Sequence, residues 1–297
     1  MANSADLGKE PISKILIRQS LPAAIGFLVM ALYSIADTIY VGQWVGANAI
    51  GAVSVVSPIS FLISSIGMAI GVGGGSIIAR ALGGDNTEKA YKTFGTQIVL
   101  TLGLSMILVV SGYLFARDIL VTFGARGEIL EPALEYFTII LFGSPFLAWA
   151  MMTNNVIRSE GKPKVAMYTM VIPAVLNIVL DPIFIIGFDW GLAGAAWATT
   201  ISYFVSAMYT LQFFLRKQSE ISLHPRDLKV DFKLAGEIFA IGGVSLARQG
   251  SVTVMSAVLN TALFNYGGEI GVATFGVINR VMMFSLFPII GIVQGFM

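Results

Sequence analysis

The chain has 297 residues, of which 56% are hydrophobic and only 12% charged, with a formal net charge of +1. A soluble domain carries about 25% charged residues to clothe its surface, so a water-soluble fold is excluded for most of this chain. The near-neutral balance gives no electrostatic case for nucleic acid, and the absence of cysteine removes disulfides and thiolate metal sites.

The N-terminus does not read as a cleavable signal. Asp6 and Glu10 dilute its basic character, and the apolar run from Leu21 is too long and lacks a small-residue cleavage site. The first predicted span is 16–42, and seven more follow at 49–79, 93–115, 133–157, 165–187, 191–215, 240–265 and 270–297. A membrane helix needs about 20 mainly apolar residues at about 1.5 Å each, so the expectation is an all-α integral membrane protein. No run shows the period-two alternation of a barrel strand.

Pro22, Pro58, Pro145, Pro173, Pro182 and Pro288 lie in or beside these runs. Neighbouring helices in lipid can satisfy the carbonyls that proline frees. The second span carries Gly71-Val72-Gly73-Gly74-Gly75 and the sixth Ala193-Gly194-Ala195-Ala196, patterns that predict close helix approach. The glycine run is not a phosphate loop, because no Lys-Ser/Thr follows it and no strand precedes it.

The longest polar stretch, 216–237, reads as a linker between a unit at 1–215 and another starting at 238. It holds the sole histidine, His224, expected to be solvated. Beyond it GEIGVATFGVINRV (268–281) can be laid on GANAIGAVSVVSPI (46–59), as in a parallel repeat about an axis along the membrane normal. A second six-span unit would then lack four spans, and Phe296-Met297 has no polar exit, so a truncated chain is expected.

With a cytoplasmic N-terminus, the inner segments hold Lys9, Lys14, Arg18, Arg80, Lys89, Lys92, Arg158, Lys162, Lys164, Arg216, Lys217, Arg226, Lys229 and Lys233. Outside remain Arg117 and Arg126, and within spans Arg248 and Arg280. This asymmetry is the positive-inside rule. Arg248 can snorkel to the cytoplasmic surface. Arg280 is placed near mid-membrane, facing either a cavity between lobes or a partner further along.

Asp37 and Asp181 are the two acids well within apolar runs. A carboxylate in hydrocarbon costs at least about 2.5 kcal/mol and by default marks an ion or proton pathway. Both fall in the outer half of their spans. Asn177 is four residues before Asp181, on the same helix face, and Thr199 and Thr200 return to that level in the sixth span. Two carboxylates, an amide oxygen and a hydroxyl form a hard-oxygen set suited to Na⁺, or to a proton shared between interacting carboxylates. The alternative is that each Asp caps a local helix break, since Pro182 follows Asp181 directly.

The stretches LPAAIGFLVMALYSIADTIYVGQWVGANAIGAVSVVSPI, VLNIVLDPIFI and GLAGAAWATTIS resemble multidrug and toxic compound extrusion (MATE) transporters, most closely the bacterial and archaeal DinF-like branch. The resemblance implies two six-helix lobes, here an N-lobe and the first two helices of a second. It also implies alternating-access export of cationic or amphipathic drugs by H⁺ or Na⁺ antiport from the cell membrane, as a monomer with no cofactor beyond the coupling cation. Asp37, Asn177, Asp181 and Thr199 match the branch's N-lobe cation site, and Pro22 its first-span hinge. A flippase for lipid-linked oligosaccharide would share the fold, but its pyrophosphate cargo calls for several basic residues in the cavity. An intramembrane enzyme would need a nucleophile with a base or a metal triad. No His or Cys lies in a predicted span and no HExxH occurs.

Overall fold

The computed structural model describes residues 11–216, 218–221 and 225–294; His224 and Phe296-Met297 lie outside the described residues. Helices make up nearly all of it, and no strand occurs among the described residues. In order they are α1 (Ile12–Tyr40), α2 (Ala47–Gly83), α3 (Thr87–Leu114), the short α4 (Ala116–Thr122), α5 (Leu130–Ser159), α6 (Pro163–Pro182), α7 (Gly191–Leu215) and α8 (Phe232–Gln294). The last is two helices divided at Gly268, whose φ of 61° and ψ of −157° interrupt the helix. Glycine takes that backbone without the Cβ penalty other residues meet. Each of the eight expected spans therefore has its helix. Among the described residues, six helical stretches are long and apolar enough to cross a membrane by length and composition, with α8 counted once and α7 not among them.

Local chemistry explains several boundaries. Asn86 caps α3 by accepting from the Lys89 N–H at 3.0 Å, and Pro163 opens α6 at a position where its missing N–H costs nothing. Both α1 and α6 end by widening into a π turn, Val41–Val45 and Ile183–Gly187. Gly46 N–H donates to Val41 O at 3.0 Å and Phe188 N–H to Ile183 O at 2.9 Å, both five residues back.

The glycines of α2 set how closely the bundle packs. Gly67 and Gly71 lie on one ridge, where an added Cβ would strike the Ala148 carbonyl or sit 2.8 Å from the Met152 carbonyl of α5. Gly73 meets the Ile238 carbonyl of α8, and Gly242 of α8 meets the Ala69 carbonyl in return. Such small-residue contacts suit helices in lipid, where van der Waals packing takes over from the hydrophobic effect. Side-chain hydrogen bonds add to them: Gln97 Nε2 to Ile70 O (2.7 Å), Trp149 Nε1 to Thr210 Oγ1 (2.9 Å) and Ser206 Oγ to Thr169 O (2.7 Å). Outward-facing positions are large and apolar, among them Ile107, Leu114 and Val179. Tyr40 at the end of α1 and Trp44 in the turn after it, and Phe184, Phe188 and Trp190 beyond α6, form ring contacts at the end where both π turns lie. That is the belt expected at a membrane–water interface.

The described part of the 216–237 stretch is strapped to the bundle. Ile221 is fully buried among Ile77, Phe94 and Phe214. Ser219 Oγ and Glu220 N–H both donate to the Glu160 carboxylate, and Lys162 Nζ donates to Gln218 O at 2.6 Å. Further on, Thr96 Oγ1 donates to Lys229 O (3.2 Å), and Asp231 caps α8 through the N–H groups of Lys233 and Leu234.

Candidate functional site

Asp37 and Asp181 both stand just before a π turn, four and two residues ahead of Val41 and Ile183 respectively. Single π turns inside or at the ends of helices recur at functional sites. α6 ends at Pro182, one residue after Asp181, and the Asp181 carboxylate accepts from the Asn177 amide. Asp181 is fully buried, Asn177 is 1% exposed, and Asp37 and Thr199 are 7% exposed each. None of the four faces lipid.

Asn177 joins α6 to α7. In the amide orientation that satisfies every partner, its Nδ2 donates to Asp181 Oδ2 at 3.0 Å, and its oxygen accepts from the N–H and Oγ1 of Thr199 at 3.2 Å each. The i, i+4 spacing of Asn177 and Asp181 thus produces a direct hydrogen bond. Thr200 takes no part, because its Oγ1 turns the other way and donates to Ile139 O of α5 at 3.2 Å. Asp37 approaches from α1, close enough for its charge and that of Asp181 to act on each other. Its Oδ1 is buried with no hydrogen-bond partner. An unmatched carboxylate oxygen beside a second carboxylate and an amide–hydroxyl pair fits a site that takes up a proton or a small hard cation.

Four side chains complete the surroundings. Tyr33 lies one turn before Asp37 on α1 and stands within electrostatic range of Tyr203 of α7. Tyr136 of α5 and Arg280 of α8 also stand within electrostatic range of Asp37. The four-residue spacing of Tyr33 and Asp37 was a usable sequence signal for the first of these. Tyr136 and Tyr203 carry no such mark. Pro22 is buried within an unbroken α1. No cluster of three or more His, Cys, Asp or Glu occurs among the described residues.

A family model described as MatE matches residues 22–183, more than half of the chain and all of α2 to α6. The chain belongs to the MATE family. The multidrug export protein MepA of Staphylococcus aureus strain MRSA252 is 29% identical over 287 residues, which is 97% of this chain and 63% of that relative. The chain thus spans about 63% of the length of the curated relatives it matches. Among solved structures, the MATE multidrug transporter DinF-BH, in complex with a small molecule, superposes with a TM-score of 0.92 at 38% identity, covering 97% of this chain and 65% of that one. An outward-facing MATE family transporter of the MOP superfamily superposes at 0.85 and 31% identity, covering 95% of this chain and 62% of that one. The MATE assignment and the all-helical membrane fold expected from the residues therefore both hold.

Proposed function

We propose that the protein is a secondary active exporter that moves cationic or amphipathic organic compounds out across the cell membrane against an inward flow of H⁺ or Na⁺. The observation carrying this reading is the buried Asp37 carboxylate, with one oxygen unpartnered, beside the hydrogen-bonded set Asp181–Asn177–Thr199. Export of drugs by MepA and the small-molecule complex of DinF-BH support the cargo class. Residues 1–215 form the first lobe, 216–237 the cytoplasmic connection, and 238 onward the start of a second lobe, with the N-terminus in the cytoplasm and the monomer as the working unit.

Coupling requires that the cation bind two conformations unequally, since tight binding alone shifts nothing. Loading the acid pair removes the cost of holding bare negative charge out of water, and that cost differs between a closed and an opened cavity. Pro22, about 22 Å along α1 from Asp37, removes one helix hydrogen bond and is the point at which α1 would bend in response.

The test is ethidium efflux by the full-length protein carrying Asp37→Asn or Asp181→Asn. Each substitution is expected to lower ion-driven efflux at least about tenfold. Unchanged efflux with an intact ion dependence in both variants would end the proposal. A flippase for lipid-linked pyrophosphates ranks second, because Arg280 places one guanidinium near the cluster where such a cargo needs several. Saturable binding of a polyprenyl pyrophosphate that ethidium does not displace would reverse the order.

A further inference from the structure

We propose that Arg280 is the third charge of this site: a positioning residue on α8 that holds the acid pair at a net charge of −1, so that one monovalent cation completes it. This inference rests on the transport reading above and adds to it a stoichiometry and the residue that sets it.

Packing brings Arg280 to the level of the acids. The second half of α8 begins at the turn where Glu269 accepts from the Glu128 N–H at 2.7 Å. It ends beside the start of α1, where Ser20 Oγ donates to Ile292 O at 3.3 Å and Gly291 lies directly against the backbone of Ala24. The two helices therefore run antiparallel. Asp37 is about 20 Å along α1 from Ala24, and Arg280 about 17 Å along α8 from Gly291, at about 1.5 Å per residue. They stand at nearly the same height. Arg280 is accordingly within electrostatic range of both Asp37 and Tyr136.

The groups that face Asp37 are Tyr33 on its own helix, Tyr136 from α5, Asp181 from α6, Tyr203 from α7 and Arg280 from α8. Arg280 is the cation of that set. A guanidinium stays protonated throughout the accessible pH range, so it supplies a constant +1 and cannot itself be the group that loads and releases a proton.

Two buried atoms show that this charge is near the acid without being consumed by it. Asp37 Oδ1 and Arg280 Nη1 both lack a hydrogen-bond partner. A locked bidentate pair would satisfy both and leave Asp37 nothing to offer a coupling ion. Held at a remove, Arg280 cancels one of the two negative charges and leaves the oxygen open. One H⁺ or Na⁺ then brings the cluster to neutrality. A second would leave a net positive charge away from water, which is disfavoured.

The experiment is the coupling ratio of the full-length protein in proteoliposomes, read as the H⁺ or Na⁺ gradient that just balances an imposed ethidium gradient. One cation per ethidium is expected for the wild type and for Arg280→Lys. Two are expected for Arg280→Gln, with an apparent cation affinity raised about tenfold or more as the unshielded pair holds its ions harder. A ratio of two in the wild type overturns the inference, as does a ratio of one in a folded Arg280→Gln protein. The wild-type ratio decides the matter if Arg280→Gln does not accumulate. Absence of any cation-driven ethidium flux in the wild type would instead remove the transport reading, and this inference with it.

Discussion

Thr199 and Thr200 are adjacent, chemically identical and both buried, yet they point to different neighbours. Thr199 Oγ1 meets Asn177, whereas Thr200 Oγ1 is spent on the Ile139 carbonyl of α5. Thr199→Val should therefore weaken the apparent affinity for the coupling cation several-fold in transport assays. Thr200→Val should leave that affinity unchanged and cost about 1 kcal/mol of stability, the net worth of one hydrogen bond. Equal effects of the two on cation affinity would mean that the hydroxyl of Thr199 is not part of the site. The sequence puts both threonines level with the acids, but only the rotation of α7 against α6 separates their roles.

Helices in this bundle approach through backbone as much as through side chains. A Cβ at Gly71 would sit 2.8 Å from the Met152 carbonyl, whereas one at Gly83, at the end of the same helix, would meet nothing within 4 Å. Gly71→Val is thus expected to lower thermal stability by about 2 kcal/mol or more, because a backbone carbonyl cannot move aside as a side chain can. Gly83→Ala should be neutral or stabilising by up to about 1 kcal/mol through helix propensity. Melting curves in detergent compare the pair. The turn between α5 and α6 presents a second case. Burial pushes the Glu160 carboxyl above the usual glutamate range, against the opposing pull of Ser219 and Lys162. The folded state then binds this proton more tightly than the unfolded state. Docking of residues 218–221 is fully stabilised below the ordinary glutamate pKa and weakens as pH rises through the raised one. Limited proteolysis of the 216–231 segment should accelerate with pH in the wild type and vary less in Glu160→Gln.

For the molecule as a whole, α2 is the helix against which both halves of α8 pack. Its upper part meets Gly276, where an added Cβ would lie 2.9 Å from the Cβ of Ser54. Alternating access by rocking of two lobes would require this contact to open. A Ser54→Cys/Gly276→Cys pair, in a chain with no native cysteine, would hold its Cβ atoms closer than the roughly 3.5–4.5 Å of a relaxed disulfide, so bridging it needs the two helices to part by about 1 Å. Oxidation is expected to cut ethidium efflux at least about tenfold, and a reductant to restore it. Full cross-linking with unchanged flux would show that the α2–α8 contact does not move during transport.

Hydropathy alone determined the order of the long helices, though not the seven-residue α4, because in lipid each span satisfies its own backbone and must be apolar along its length. It also exposed Asp37 and Asp181, since an intramembrane carboxylate is conspicuous for its cost. The π turns that follow the two acids left no hydropathy signal, and Val41–Val45 has no proline to mark it. The strap at 218–221 was hidden in polar composition, because its anchors, Glu160 and Lys162, are some 60 residues away in sequence. Arg280 was visible as a charge in an apolar run, but its partner was not: which carboxylate a guanidinium faces depends on how two helices are rotated and stacked. Only the packing of α8 on α1 and α2 decided that.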